Sequence, residues 1–399
     1  MHTLPPAHLF WPLFALCALG FAVLCAVVRD AGRGARRRAL QQRIATLRPP
    51  SRAADAQALE RLHEAMARAQ QRLRLAPRPR AAGEKLDDED VGRCATPGVP
   101  WLLFLGDAAA GLPGLLAASP LDADPSDDAP TGPVRDGWRW WTGGAMAAIE
   151  IDARVLEDPA DAPQSRALWL ASLLALAERR ERIPLHGIVA CIGAQALREA
   201  PADAVAFRAR VARLRRLAEE AGRTLRLQLP FYLVVTGLEG LEGYGALRGT
   251  LPPEVLAQAL GHRLPLESAA TDTRGAAERL DAAFEPLAAR LHALRMGLLR
   301  EQPGASGRLA VHSFVEGVRS LQPGLRLAAE ALFDSHGRKA REARGLRWRG
   351  LYLTAAGGAA GGNGAFTGDL FHRFLPADPS LVRPGRLPPS AHDTGMDAM

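Results

Sequence analysis

The sequence predicts an α/β protein with a parallel sheet, one transmembrane helix before the sheet and a helical extension after it. Three observations support this fold class. An uncharged run of twenty residues occupies Leu9–Val28. From Pro100 onward, short β-branched runs alternate with amphipathic segments, which is typical of strands connected by helices. Between residues 266 and 376, apolar residues recur at spacings of three and four, which is typical of helices.

The first element is the apolar run Leu9–Val28, whose length matches a hydrocarbon core of about 30 Å when helical. A cleaved signal peptide fits less well, because no Lys or Arg precedes the run and the run is too long. Seven arginines follow between Arg29 and Arg48, against the single acid Asp30. The positive-inside rule therefore predicts a single-pass membrane protein with residues 29 onward in the cytoplasm.

Charge and composition narrow the classes of partner. The net charge of +7 is concentrated beside the apolar run, so a membrane surface is the favoured partner. Aromatic residues make up 6% of the chain and are not interleaved with the arginines, which argues against a nucleic-acid-binding protein. The four cysteines form no C-x-x-C or Cys/His spacing, so neither a metal site nor a disulfide framework is expected.

Composition also divides the chain into segments. Residues 29–99 are predicted to hold the basic juxtamembrane segment, an amphipathic helix at Ala53–Leu75 and a linker rich in Pro, Arg and acids. Residues 100–265 are predicted to form the α/β domain, and residues 266–376 the helical extension with one strand. The Pro-rich residues 377–399 are predicted to be a disordered tail.

Strands and helices alternate from Pro100 onward. Strands are predicted at Trp101–Leu105, Trp138–Trp141, Ala145–Ile151, Gly187–Ile192, Leu225–Thr236 and Leu346–Thr354. Helices are predicted at Ser165–Arg180, Asp203–Ala221, Pro252–Gly261, Gly275–Gln302 and Phe366–Phe374, and a pair of helices at Val311–Phe333. This alternation implies right-handed crossovers and a parallel sheet, with ligands at the carboxyl ends of the strands.

The stretch Pro100–Leu116 contains the strongest motif. Gly106 and Gly111 follow a strand at the spacing of the phosphate-binding loop G-x-x-x-x-G-K-[ST], in which the lysine neutralises phosphates and the hydroxyl holds magnesium. Here Leu112 and Pro113 occupy the lysine and hydroxyl positions. We therefore expect the scaffold of a nucleotide site without its chemistry: a pseudo-NTPase with no catalytic residue, no cofactor and no metal.

Two further positions belong to this predicted site. Asp152 ends an apolar strand and would hold a magnesium-bound water in an active enzyme, although a capping or salt-bridged aspartate is the favoured interpretation. Thr236 opens T-G-L-E, where a base-reading T-K-x-D would stand, and glycine has replaced its lysine. The predicted vestigial nucleotide site consists of Gly106, Gly111, Asp152 and Thr236.

An ordered set of motifs covers most of residues 100–380. Besides Trp169, these are PWLLFLGDAAAG, IEID at 149–152, PLHGIVACIGAQAL at 184–197, LPFYLVVTGLEGLEGY at 229–244, ALGHRLP at 259–265, RGLYLTAA at 349–356 and FTGDLFHRFLP at 366–376. The order resembles the cytoplasmic region of the TssM/IcmF family, the inner-membrane subunits of type VI secretion systems. The resemblance implies a G-protein-like P-loop domain at the inner membrane, in contact with TssL-like and baseplate proteins.

The chain departs from the family pattern in three ways. Family members commonly carry G-K-[ST] where this chain has Leu112 and Pro113. They open with a two-helix membrane hairpin, whereas one segment is predicted here, and they continue through another membrane helix into a large periplasmic domain. The expected function is therefore a membrane-anchored pseudo-NTPase, a scaffold or accessory subunit of type VI secretion without a small-molecule substrate. The alternatives are a residual NTPase with a non-lysine phosphate site and a diverged remnant without a secretion role.

Overall fold

The computed structural model describes residues 53–75, 99–125, 131–156, 163–180, 183–265, 274–334, 346–357 and 364–384, apart from 133, 135, 136 and 303, with scattered positions between 14 and 42. The strands are β1 (Trp101–Gly106), β2 (Asp122–Ala123), β3 (Trp138–Thr142), β4 (Ala147–Ile151), β5 (Gly187–Gly193), β6 (Leu227–Thr236), β7 (Leu260–Arg263), β8 (Leu346–Leu353) and β9 (Arg383–Pro384). The helices are α1 (Ala53–Leu75), α2 (Leu112–Ala117), α3 (Pro163–Arg179), α4 (Ala194–Glu199), α5 (Ala204–Leu225), α6 (Tyr244–Thr250), α7 (Pro253–Ala257), α8 (Ala276–Glu301), α9 (Ala305–Arg319) and α10 (Gln322–Phe333).

The described strands form one mixed sheet in the order β2-β3-β4-β1-β5-β6-β8-β7, with β9 paired to the start of β6. The five central strands, β4, β1, β5, β6 and β8, are parallel. Antiparallel strands lie at both edges: β2 and β3 on one side and β7 on the other. The predicted α/β class with a mostly parallel sheet is therefore confirmed.

The sheet is covered on both faces, as a central parallel sheet requires. Alternate residues of β1 point to opposite faces, so Leu103 and Leu105 join one apolar cluster while Leu102 and Phe104 join the other. The larger cluster takes in α3, α5 and α8 to α10, and the smaller takes in α2 and the short π-helix Leu370–Phe374. Phe371 of that π-helix stacks on Phe104 with 5.8 Å between ring centroids.

Two buried glutamates, Glu150 and Glu220, each bind one tryptophan and one arginine of a neighbouring element. Glu150 of β4 accepts a hydrogen bond from Trp141 Nε1 at 2.8 Å and forms an ion pair with Arg139. Glu220 of α5 accepts one from Trp169 Nε1 of α3 at 2.9 Å and pairs with an arginine of that helix. Each buried carboxylate is therefore both paired and hydrogen-bonded, as a low-dielectric interior demands.

Helix α1 covers the edge of the sheet formed by β2 and β3. Its apolar side buries Met66 completely. Its polar side reaches the edge, because Arg68 Nε lies 3.2 Å from Asp124 Oδ1 and Arg72 Nη1 donates to the backbone oxygen of Ala123 at 2.7 Å. The amphipathic helix predicted at Ala53–Leu75 is therefore present with those bounds, and it packs against the α/β domain.

Three predictions about residues 252–399 need correction. The predicted helix Pro252–Gly261 ends at Ala257, and the next residues form β7, because their amides pair with β8. The strand of the predicted helical extension, β8, lies in the same sheet as β6 and does not belong to a separate unit. The prediction of disorder from Ala377 was wrong for residues 377–384, because a buried aspartate at 378 and the pairing of β9 fix them to the sheet.

The predicted transmembrane helix Leu9–Val28 lies mostly outside the described residues. Within the described part of the chain, no helix combines the length and the apolar composition that crossing a membrane requires.

Candidate functional site

The glycine loop, Gly106–Leu112, leaves the sheet where the chain changes direction across it. From β1 the chain runs through β2, β3 and β4 on one side, and then crosses to β5 on the other side. Gly106 is the last residue of β1. In open α/β sheets, ligands bind outside the carboxyl ends of the strands at such a switch point. The glycine loop is therefore the first place to look for a site.

The glycine loop is a short 3₁₀ turn closed by its own hydrogen bonds. The N–H of Ala110 donates both to the backbone oxygen of Asp107 at 3.0 Å and to its Oδ1 at 3.1 Å. Gly111 has a φ of 57°, which suits glycine, and turns the chain into α2. The carboxylate of Asp107 thus caps the turn and uses an N–H that an outside anion would need.

The centre of the glycine loop is filled by apolar side chains. Leu112, at the lysine position of the phosphate-binding motif, is 3% exposed and packs in the cluster that holds Phe104 and Leu115. A Cβ atom placed on Gly106 would lie 2.8 Å from the Cβ of Ala110 and 3.0 Å from Cδ1 of Leu112. A larger residue at position 106 would clash with side chains of the loop itself, so glycine is required there.

Hydrogen bonds tie the glycine loop and β8 to the carboxyl end of β6. The hydroxyl of Thr236, the last residue of β6, donates to the backbone oxygen of Ala110 at 2.6 Å and is buried. Thr354, just after β8, donates to the backbone oxygen of Val235 at 2.9 Å. Glu239 Oε2 accepts from the N–H of Ala356 at 2.9 Å. The polar groups at these strand ends are therefore satisfied by one another.

Asp152 lies one residue beyond β4, the parallel neighbour of β1. The register pairs Phe104 with Glu150, so Asp152 stands level with Gly106. Both of its carboxylate oxygens are engaged by Arg154: Oδ1 accepts from the backbone N–H and Oδ2 from Nε, each at 2.9 Å. Of the four predicted site residues, Gly106, Gly111 and Thr236 meet at the loop, and Asp152 forms a salt-bridged cap on the adjacent strand.

Two charged residues at the mouth of the glycine loop, Asp107 and Arg210, were not predicted from the sequence. Arg210 of α5 places its Nε 3.9 Å from Oδ2 of Asp107, and both side chains are partly exposed. Asp107 is one of the unspecified positions between the two glycines, so the motif gave it no role. Arg210 lies on a helix with several other arginines, and no local pattern marks it as a neighbour of the loop.

No acid–base or metal chemistry is evident among the described residues. Burial, with a smaller contribution from Arg180, lowers the pKa of His186 to about 3, so the ring is neutral and its Nδ1 accepts from Trp101 N–H at 3.1 Å. Burial raises the pKa of Cys191, which keeps this thiol protonated. The described residues contain no group of three or more His, Cys, Asp or Glu side chains that would hold a metal ion.

A cleft of about 310 Å³ opens beyond the end of α2. Its walls are the turn at Ala118–Pro120, helix α7 and the segment Gly364–Gly368, and Arg248 is its charged lining residue. The N–H of Gly364 donates to the backbone oxygen of Ala118 at 2.9 Å, which joins two of the walls. The guanidinium of Arg248 donates to the Tyr244 hydroxyl at 3.1 Å, so this cation is held against α6.

Comparison with protein families matches residues 162–392 to the IcmF-related N-terminal domain. The match covers more than half of the 399 residues. The chain belongs to the IcmF-related family. This result confirms the resemblance to the TssM/IcmF family, N-terminal and cytoplasmic region, and associates the protein with type VI secretion.

The IcmF-related match begins just before α3 and extends past β9. It therefore includes Thr236, the cleft residues from Arg248 onward and the buried Asp378, whereas the glycine loop and Asp152 precede it. A comparison with curated proteins gives no significant match, and neither does one with solved structures.

Proposed function

We propose that this IcmF-related protein is a membrane-anchored scaffold or accessory subunit of a type VI secretion system, and that its nucleotide site is inactive. The observation that carries the proposal is the self-filled glycine loop. Leu112 packs over Gly106 and the carboxylate of Asp107 takes the Ala110 N–H, so the space and a donor of a phosphate cradle are both in use.

Electrostatics supports the same conclusion. A phosphate-binding loop offers an anion a lysine, whereas this loop offers the partly exposed carboxylate of Asp107. Two like charges about 4 Å apart repel by roughly 1 kcal/mol in water and roughly 4 kcal/mol near a protein surface. Arg210 offsets part of this repulsion but lies beyond hydrogen-bond distance of the carboxylate, at 3.9 Å.

The part of the predicted site that would recognise a nucleotide base is also engaged by a hydrogen bond within the protein. Glu239 stands at the position of the base-reading aspartate, and its Oε2 accepts a hydrogen bond from the N–H of Ala356. A purine would have to break this hydrogen bond before its own N–H groups reached the carboxylate. The fold therefore offers a docking surface of fixed shape, and its role in secretion would be carried by that shape.

Membrane anchoring rests on the N-terminal sequence and on five exposed apolar side chains. Within the run Leu9–Val28, the described helical residues Phe14, Leu16, Leu19, Phe21 and Val23 are each more than half exposed. Apolar side chains in this number are stable on a helix surface when lipid or another protein covers them. The arginines after the run favour a cytoplasmic position for the bulk of the chain. Membership of the IcmF-related family supports an inner-membrane position beside TssL-like and baseplate proteins as part of this proposal.

The test of the inactive site is a titration of the full chain in detergent with fluorescent GTP and ATP analogues in the presence of Mg²⁺. We expect no binding in the micromolar range. The matched variants are Leu112→Lys with Pro113→Ser, which restores the motif, and Asp107→Ala, which frees the loop N–H. Magnesium-dependent micromolar binding by the unaltered chain would overturn the proposal.

A residual NTPase is the second candidate, because Arg210 stands at the mouth of the glycine loop, where a phosphate-neutralising cation is needed. This candidate predicts hydrolysis that disappears in Asp152→Asn and falls in Arg210→Ala. The scaffold proposal predicts that neither substitution changes a background rate. Secretion assays on a deletion strain address the third possibility, a remnant, because unchanged secretion would exclude a scaffold role.

A further inference from the structure

Arginines collect at the amino end of the sheet, opposite the glycine loop. Strand β7 ends with Arg263, β8 carries Arg347 and Arg349 near its start, and β9 begins with Arg383. We call these four residues the basic edge. The strand pairing brings them close together. Arg383 and Arg347 lie opposite Gln228 and Pro230, two residues apart on β6, and Arg263 lies opposite Gly350, the residue after Arg349 on β8.

Only part of this charge is neutralised within the described chain. Asp378, which is 4% exposed, forms ion pairs with Arg263 and with Arg349, whose Nε lies 2.9 Å from Oδ2. Among the described residues, no acidic side chain pairs with Arg347 or Arg383. Arg383 is exposed and Arg347 is partly exposed, so both can reach a partner from solvent.

The arginines of the basic edge are close enough to affect one another. Burial first, and then the charges of Arg383 and Arg349, lower the pKa of Arg347, although an arginine remains protonated at neutral pH. Crowded like charges raise the free energy of the free protein. An anion at this edge would remove that repulsion, so the edge favours a polyanionic partner.

Guanidinium groups are well suited to phosphate, because their planar donors bind two phosphate oxygens at once. Under the proposed function, the segment Arg29–Arg48 lies at a membrane, whose anionic lipids present phosphates at high density. A juxtamembrane arginine strengthens binding to such a surface roughly fivefold. We propose that the basic edge binds the phosphate groups of anionic phospholipids and fixes this end of the sheet against the membrane surface. The inference rests on the anchoring part of the proposed function.

The test is hydrogen exchange of the full chain in phosphatidylcholine vesicles with and without phosphatidylglycerol. Backbone amides in residues 377–384 exchange when β9 separates from β6. Because β9 carries Arg383, this opening would also pull the basic edge away from the lipid, so lipid binding should slow amide exchange in these residues. Two arginines at roughly fivefold each predict exchange slowed by up to about 30-fold in the anionic vesicles. The slowing should disappear in Arg347→Glu with Arg383→Glu, and in about 1 M NaCl, where the Debye length is about 3 Å.

The matched control is Arg300→Glu with Arg308→Glu. It removes the same charge from two exposed arginines near the junction of α8 and α9 and should keep the slowing. The single variant Arg383→Gln, at an exposed position, guards against misfolding of the double variant and should lose roughly fivefold of the slowing. Equal exchange in the two vesicle types, or equal loss in the control, would overturn the proposal.

Failure of the anchor gives a different result. A chain that washes off phosphatidylcholine vesicles lacks the anchor, and the edge is then tested by co-sedimentation with phosphatidylglycerol vesicles. If the Arg347/Arg383 double variant no longer co-sediments while the Arg300/Arg308 control still does, the result supports lipid binding by the basic edge. Protection of residues 377–384 by a polyglutamate peptide but not by anionic vesicles would overturn the lipid assignment in favour of an acidic protein.

Discussion

The two ends of the central sheet are closed by different kinds of interaction. At the carboxyl end, the glycine loop is held by backbone hydrogen bonds, the hydroxyl of Thr236 and the buried side chain of Leu112. Near the amino end, Asp378 joins two arginines, and the neutral ring of His186 accepts a backbone hydrogen bond. The carboxyl end is thus held by packing and neutral hydrogen bonds, whereas the amino end also contains a buried group of charged side chains.

This difference separates the region that resembles a site from the region that carries unmatched charge. The carboxyl end holds the glycine loop, where the protein's own groups use the N–H of Ala110 and fill the space above Gly106. The amino end has no recognisable motif, yet its arginines outnumber the acids that the described chain places there. Stability at the first end should follow side-chain volume, and stability at the second should follow pH and ion pairing.

The largest effect is expected for Asp378→Ala. This substitution leaves Arg263, Arg349 and the Tyr232 hydroxyl, which donates to Asp378 at 2.6 Å, without their buried acceptor. Removing one partner of a buried ion pair costs about 3–5 kcal/mol. Urea unfolding measures the change, with Asp369→Ala as control, because Asp369 forms only a partly exposed pair with Arg373. Equal effects of the two substitutions would contradict the central role of Asp378.

Leu112→Ala should come next. Leu112 is 3% exposed inside the glycine loop, and truncating a buried leucine costs about 2–5 kcal/mol. The same truncation at Leu309, which is 62% exposed, should change stability by less than about 0.5 kcal/mol. If the two variants unfold at the same urea concentration, the glycine loop is not the packed element described above.

His186 should make the amino end sensitive to acid. Its folded pKa of about 3 lies below the unfolded value of 6.5, so the unfolded state binds more protons between these pH values. The contribution is therefore complete above pH 6.5 and is lost as the pH falls toward 3. Linkage gives a loss of about 2 kcal/mol between roughly pH 7 and pH 5.

The measurement compares urea unfolding of the unaltered chain and His186→Asn at both pH values. The variant should lose less stability than the unaltered chain on acidification, by about the predicted 2 kcal/mol. His372→Asn, at an exposed histidine, serves as the control and should behave like the unaltered chain. Parallel pH profiles for all three proteins would show that His186 is not held neutral by burial.

The smallest of these effects is expected for Thr236→Val. The substitution keeps the shape but removes the donor to the Ala110 oxygen, and a lost hydrogen bond of this kind costs about 1–2 kcal/mol. Thr236→Ser keeps the hydroxyl and should recover most of the difference. Denaturation midpoints check both, and a valine variant as stable as the serine variant would mean that this bond does not fasten the loop.

Much of the sheet is predictable from local composition. Strand β5 and the stretch Phe231–Val235 of β6 are continuous apolar runs, and such runs form buried parallel strands because both faces are covered. Strands β7 and β9 were missed for the opposite reason. They are short and contain Gly, Pro and Arg, and they are strands only because β8 and β6 offer them backbone partners from distant parts of the chain.

The candidate site is predictable in position but not in content. The spacing of Gly106 and Gly111 predicts a turn after β1, and the structure has one there. The absence of phosphate chemistry, predicted from Leu112 and Pro113, stays a prediction. The internal occupants could not be predicted, because Asp107 meets Arg210 and Glu239 meets Ala356 only after the sheet has formed. Sequence motifs describe what a loop could bind, whereas the tertiary neighbours decide what it does bind.

The packing of α1 on β2 and β3 has a practical consequence for producing fragments of this protein. A fragment that starts at Pro100 would remove Met66 and its neighbours, which cover β3, and would take Arg72 away from the backbone oxygen of Ala123 in the edge strand β2. Edges uncovered in this way recruit strands from other chains and lead to aggregation. A truncated protein intended for crystallisation should therefore begin ahead of Ala53, so that the helix shielding this flank is retained.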